Sequence, residues 1–155
     1  MKNYQSSLVI ILTVIATAVV GSFITSQGMV WYETLILPPW TPDGSVIGTV
    51  WTVLFVLTIV SLLLAMQKKI EAPTSRWIWF FFFLQATLNV LWSLLFFGIH
   101  AFTLAIIEAL LLGLSVLFLS LSLWKTSKLA SALLFPYVLW VCFATFLTYA
   151  VTILN

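Results

Sequence analysis

Residues 37–66 read LPPWTPDGSVIGTVWTVLFVLTIVSLLLAM. The opening LPPWTP is loop chemistry, because proline fixes φ and gives up a backbone donor. From Val46 to Met66 the chain then carries no charged residue. A helix needs about 20 apolar residues to cross the hydrocarbon core of a bilayer. The run is that long and does not alternate as a barrel strand would, so it reads as a membrane-spanning helix entered through a stiff aromatic loop.

The same test applied outward along the chain finds four more spans. The five lie at about 8–25, 46–66, 77–99, 101–124 and 129–154. Between them are a long loop at 27–44 with Gly28, Pro38, Pro39 and Pro42, a charged stretch at 67–76, a tight turn at Gly98-Ile99-His100 and a basic turn at 125–128. Only 6% of the residues are charged, against roughly a quarter in soluble domains. The expected architecture is an all-α integral membrane protein: residues 1–155 as a single five-transmembrane-helix bundle. There is no internal repeat, phosphate loop or carboxylate pair within a span, and the net charge of +2 gives no reason to expect nucleic acid. One cysteine, Cys142, permits no disulfide within the chain.

The charges orient the bundle. Lys2, Lys68, Lys69, Arg76, Lys125 and Lys128 all fall on one side of the five-span frame. Glu33, Asp43 and His100 lie on the other, with no lysine or arginine. By the positive-inside rule the N-terminus is expected in the cytoplasm, with the proline-rich loop and the C-terminus on the outer side. Lys2, an apolar run and Ala16-Thr17-Ala18 also carry the outline of a cleaved signal, but the apolar run continues to Ile24, which favours an uncleaved span. With no presequence before Lys2, a bacterial plasma membrane is expected.

Polar residues within spans need an explanation. Gln85, Asn89, Trp92 and Phe96 share one face of the third span. Its two amides either bond to neighbouring helices or line a cavity, with Asn89 as a polar anchor. Glu108 is the one acid inside a span and aligns with Ser115 and Ser122. Its carboxyl either binds a ligand or proton or makes a structural hydrogen bond. Thr13, Thr17, Gly21 and Thr25 recur every four residues, as a packing row or a dimer seam. Trp31, Trp40, Trp77, Trp79 and Trp124 fit an interfacial belt. Trp51, Trp92 and Trp140 lie deeper, in the core or around an aromatic cavity, and a deep indole N–H wants a partner.

An apolar pocket with a few polar anchors suits a small hydrophobic guest, and tryptophan faces suit flat conjugated rings. No cofactor or metal site is expected. Haem iron would need an axial ligand. His100 falls in a turn, Met29 and Met66 lie near span ends, and Cys142 and Tyr137 have no supporting context. A tetrapyrrole guest would be metal-free or held by stacking.

These residues together resemble the tryptophan-rich sensory protein and translocator protein family, the peripheral-type benzodiazepine receptors. The resemblance covers nearly the whole chain. It rests on Trp31-Tyr32, on Leu37 to Pro42, on Val50-Trp51-Thr52-Val53-Leu54-Phe55, on Gln85, Leu88-Asn89, Trp92-Ser93 and Phe96-Phe97-Gly98, and on Pro136 to Val141 with Phe143-Ala144 and Asn155. It implies a five-helix bundle, usually a homodimer in the lipid bilayer. It also implies binding of porphyrins, especially protoporphyrin IX, and of synthetic benzodiazepines and isoquinoline carboxamides. Carried over, the pocket would use Tyr32 and Pro42 beside the loop, Gly21 on the first span, and Ile47, Trp51 and Phe55 on the second. Asn89 and Trp92 would come from the third, and Trp140 and Ala144 from the fifth.

Some bacterial members of that family are proposed to degrade protoporphyrin with light and oxygen, and the tryptophans implicated match Trp51 and Trp140. In animal members the fifth span ends with a tyrosine followed by a basic residue, read as a cholesterol motif. Here Leu147 to Ile153 contains no lysine or arginine, so specific cholesterol binding is not expected. A carrier or channel for tetrapyrroles or other lipophiles, and a ligand sensor without chemistry, are the competing readings. LPPWTP is expected to act as a stiff lid over the pocket, since proline lowers the entropy lost when a loop settles.

Overall fold

The structure is a computed structural model that describes residues 2–155, with side chains from Tyr4 onward. The Lys2 side chain, whose charge contributes to the orientation above, lies outside the described residues. Five helices are long and apolar enough to cross a membrane. They are α1 (Lys2–Tyr32), α2 (Gly44–Met66), α3 (Ala72–Ser93), α4 (Phe102–Trp124) and α5 (Lys128–Leu154), and α3 runs on into a π-helical turn at Leu94–Gly98. Helices of 23 residues, such as α2 and α4, reach about 35 Å at about 1.5 Å per residue, enough to cross a hydrocarbon core of about 30 Å. The protein is an all-α integral membrane protein.

The main departure from the sequence reading is at the end of α1. The helix passes through Gly28 and stops at Tyr32, well beyond residue 25, so the loop is residues 33–43. Glycine reads as a helix breaker because it costs about 1 kcal/mol relative to alanine. Here its bare Cα is what lets α1 touch the π-helical turn: a Cβ on Gly28 would lie 2.5 Å from the Phe97 carbonyl oxygen. Packing against another element overrides the local propensity.

The helices close a ring. α1 packs on α2 and α3, α2 on α5, α5 on α4, and α4 on α3. At the end of the bundle away from the 33–43 loop the ring is stitched by buried hydroxyls. Ser61 donates to the Ala130 carbonyl at 2.6 Å, and Ser120 pairs with the Ser131 hydroxyl at 2.8 Å. Large apolar side chains fill this half, among them Phe82, Leu62, Leu119 and Leu134, all essentially inaccessible. At the loop end a smaller cluster gathers on Phe96, Ala105 and Val151. The Thr13–Thr25 row turns inward. Thr17 and Gly21 are buried, and a Cβ on Gly21 would meet Ser93 Oγ at 3.5 Å. The row packs within the bundle rather than forming a seam on its outside.

Candidate ligand-binding cavity

Within the ring, toward the loop end, lies a cavity of about 420 Å³. Its walls follow from the five-residue turn at Leu94–Gly98. There the Ile99 N–H donates to the Leu94 carbonyl, five residues back, at 2.9 Å. The widened turn brings both Phe96 and Phe97 to the cavity, and Trp92 stacks on Phe96 with centroids 5.2 Å apart and planes 6° from parallel. Such π-helical insertions are often found at functional sites.

Each of the other walls comes from a different helix. α1 supplies Thr17, Gly21, Thr25 and Tyr32; α2 supplies Ile47, Trp51 and Phe55; α5 supplies Trp140, Phe143, Ala144 and Thr148; and α4 adds Leu112. Of the residues singled out from the sequence, Gly21, Tyr32, Ile47, Trp51, Phe55, Asn89, Trp92, Trp140 and Ala144 all line this one space. Pro42 does not. It lies in the loop, half-buried, and residues 33–43 contribute nothing to the wall.

The loop is fastened to α5 instead. Trp40 stacks on Phe146 at 5.4 Å and meets Phe143 edge-on at 6.1 Å. The Asn155 side chain clasps Ile36 at two points: its Oδ1 accepts from the Ile36 N–H at 2.9 Å, and its Nδ2 donates to the Ile36 carbonyl at 3.0 Å. The clasp is exposed, so its worth is about 1 kcal/mol. Asn155→Ala is expected to raise amide hydrogen exchange across residues 33–41 while the melting temperature barely moves. Unchanged exchange there would mean that Trp40 alone holds the loop.

Polar groups in the cavity are few. Asn89 Nδ2 donates to the Tyr137 hydroxyl at 2.8 Å, so the amide both bridges α3 to α5 and presents its remaining edge to the cavity. Tyr137 is fully buried, and Trp51 meets it edge-on at 5.7 Å. The indole N–H groups of Trp92 and Trp140 are buried with no protein partner. Deep indoles normally find one, and these two have none within the protein. Most of the lining threonine hydroxyls are spent at home: Thr17 donates to the Thr13 carbonyl, Thr52 to that of Gly48 and Thr148 to that of Ala144. The arrangement offers aromatic faces and directed hydrogen bonds. Among the described residues, no group of three or more His, Cys, Asp or Glu side chains lies together.

Sequence reasoning did not single out Tyr137, Ser93 or Phe97 for the cavity. Tyr137 was legible only as a tyrosine in an apolar span, and its role depends on facing Asn89 across the ring. Ser93 reaches the cavity one turn after Asn89 on the same face of α3, and Phe97 reaches it from the widened turn, which nothing in LLFFG announces.

A sequence model described as the TspO/MBR family matches residues 9–154. The chain is 34% identical over 152 residues to the tryptophan-rich protein TspO of Archaeoglobus fulgidus, covering 94% of each chain. It is 31% identical over 151 residues to the Bacillus cereus protein of the same name, covering 97% of each. Against the human translocator protein the identity is 31% over 139 residues, covering 85% of this chain and 79% of the human one.

Proposed function

The chain belongs to the TspO/MBR family of membrane proteins, and on that premise we propose that its cavity binds porphyrins, protoporphyrin IX foremost, and supports their light- and oxygen-dependent breakdown. One observation carries the reading. Trp51, Trp92 and Trp140, from three different helices, converge on a single space of about 420 Å³ with one amide, Asn89, in its wall. That volume falls within the range of small-molecule pockets, roughly 300–1,000 Å³, which are typically apolar with a few placed polar groups. Stacking supplies the affinity, and the Trp92 and Trp140 N–H groups fix orientation by donating to acceptors on the guest. The same aromatic slot suits benzodiazepine and isoquinoline carboxamide rings. We place the N-terminus in the cytoplasm and the loop on the outer side, following the lysines and the arginine.

The test is binding in the dark. Protoporphyrin IX titrated into the purified protein should quench tryptophan fluorescence saturably. Ala144 is half-buried in the wall. Ala144→Phe adds a ring to the cavity and should weaken binding at least about tenfold, with melting unchanged. Unaltered affinity in that variant would put the porphyrin elsewhere.

A second reading, carriage of lipophiles, is favoured by one feature. Ser22 and Ser26 on α1 and Gly44, Gly48 and Thr52 on α2 line the cavity and are also exposed. The slot between α1 and α2 is therefore walled by small residues on the side that faces lipid. Porphyrin flux into sealed liposomes, absent from protein-free controls, would favour carriage over retention.

A further inference from the structure

Glu108 has no role in the porphyrin reading, and its surroundings give it no structural one. It sits in α4 with 4% of its surface exposed, and neither carboxyl oxygen has a hydrogen-bond partner. An unpaired carboxyl at this depth is heavily penalised, and such residues in spans usually face an interior path or site. No hydroxyl relieves it: that of Tyr137, close enough to interact with Glu108 electrostatically, accepts from Asn89 instead. Ser115 donates to the Leu112 carbonyl, Thr145 to that of Val141 and Thr148 to that of Ala144. Among the described residues no cation lies deep in a span, since Arg76 is the fifth residue of α3 and Lys128 the first of α5.

Glu108 does not itself line the cavity, but its level on α4 runs alongside it. Leu112, one turn further along the same buried face of α4, lines it. Antiparallel packing sets the level on α5: a Cβ on Gly113 would meet Val141 Cγ1 at 3.3 Å. Five residues back along α4 therefore brings Glu108 opposite the Ala144–Thr148 turn, both ends of which line the cavity. On α3 the partner level follows from the Phe81–Phe118 stack, centroids 5.4 Å apart, and sets Glu108 at the level of Leu91, one residue before Trp92. Among the described residues, the fully buried side-chain polar atoms within the helical bundle that lack a partner are the Trp92 and Trp140 indole nitrogens and the two Glu108 oxygens.

We propose that Glu108 is the acidic anchor of a deeper subsite of this cavity, which takes a hydrogen-bond-donating, protonated nitrogen on a flat aromatic guest. The inference rests on the cavity being a binding site for flat guests, as proposed above, and narrows their class. A preferred guest carries an acceptor for the indoles and a cationic N–H for the carboxylate. The resulting pair is neutral as a whole and charge-assisted, a combination that low dielectric strengthens.

Two probes with the same three fused rings separate the claims: 9-aminoacridine, which carries a protonated nitrogen, and anthracene, which carries none. Each is titrated into the full-length protein in lipid nanodiscs and read by tryptophan quenching. The wild type should prefer 9-aminoacridine. Glu108→Gln and Glu108→Leu should lower that preference roughly ten- to hundredfold, with anthracene affinity unchanged. Because removing an unpaired buried polar group is commonly neutral or stabilising, Glu108→Leu should also melt no lower than wild type.

Parallel loss of both guests, a lower melting temperature or a failure of the variants to fold would make Glu108 a structural strut and overturn the proposal. A preference that survives both substitutions would overturn it equally. Anthracene binding alone reports on the underlying reading: if the wild type binds neither probe, the cavity is not a site for flat guests and the acidic subsite falls with it.

Discussion

Trp51→Phe and Trp140→Phe are each expected to leave protoporphyrin IX bound and to slow its loss under visible light by at least about tenfold. Phenyl keeps a flat apolar face, so the change in stacking is worth about 0.5–1.5 kcal/mol and affinity should move by about tenfold or less. What phenyl lacks is the electron-rich indole. An excited porphyrin passes energy to dioxygen or takes an electron from a stacked donor, and indole gives up an electron far more readily than benzene. Both residues are in the wall: Trp51 rests edge-on against Tyr137 at 5.7 Å, and Trp140 sits 5.2 Å from Phe143 with its N–H unpaired. No general acid and base are required. The experiment follows porphyrin absorbance in light for the three proteins, with dark quenching run as the control for binding. A new product from wild type alone would assign the chemistry to these indoles. If all three bleach at the rate of free porphyrin, the protein binds but does not degrade, and the enzymatic part of the proposal is lost.

Gly28→Ala should be the most damaging single-methyl change in the bundle. The added carbon would lie 2.5 Å from the Phe97 carbonyl oxygen and 2.7 Å from Phe97 Cβ. Neither atom is the end of a flexible side chain, so α1 and the π-helical turn must separate. Overpacking of this kind costs about 1–3 kcal/mol or more, and the gain in helix propensity recovers only about 1 kcal/mol. Met29 and Phe97 both line the cavity, so binding should weaken along with stability. Gly48→Ala is the matched control, since a Cβ there meets nothing within 4 Å. It should gain about 1 kcal/mol from propensity alone. Melting curves that shift in opposite directions are the expected result. If Gly28→Ala melts with the wild type, the close approach of α1 to Phe97 is not holding the bundle.

Both predictions depend on contacts of different legibility. Trp51, Asn89 and Trp140 could be singled out in advance because polar and indole groups in an apolar span need partners. Gly28 was misread for a local reason, because helix propensity says nothing of what passes alongside. Glu108 was visible as an anomaly, but whether it was paired depended on which way every neighbouring hydroxyl turned. Pro42 was placed in the pocket by analogy, and the loop's anchoring to Phe146 and Asn155 keeps its residues out of the wall.

The number and rough extent of the spans were set by the sequence alone, because transfer of about 20 apolar residues into hydrocarbon is a property of the segment and not of its neighbours. Which side of each helix faces the bundle was not so determined. In Phe80-Phe81-Phe82-Phe83, Phe82 is wholly buried while Phe80 and Phe83 stay 53% and 45% exposed. Leu54 is buried to 2% beside Val53 at 50%. Lipid is as apolar as a protein core, so the segregation that betrays the inner face of a soluble helix is missing here. Only the tertiary packing, through the small residues that allow close approach and the few polar groups that must meet, decides that three tryptophans share one cavity and that the buried Glu108 carboxyl has no protein partner.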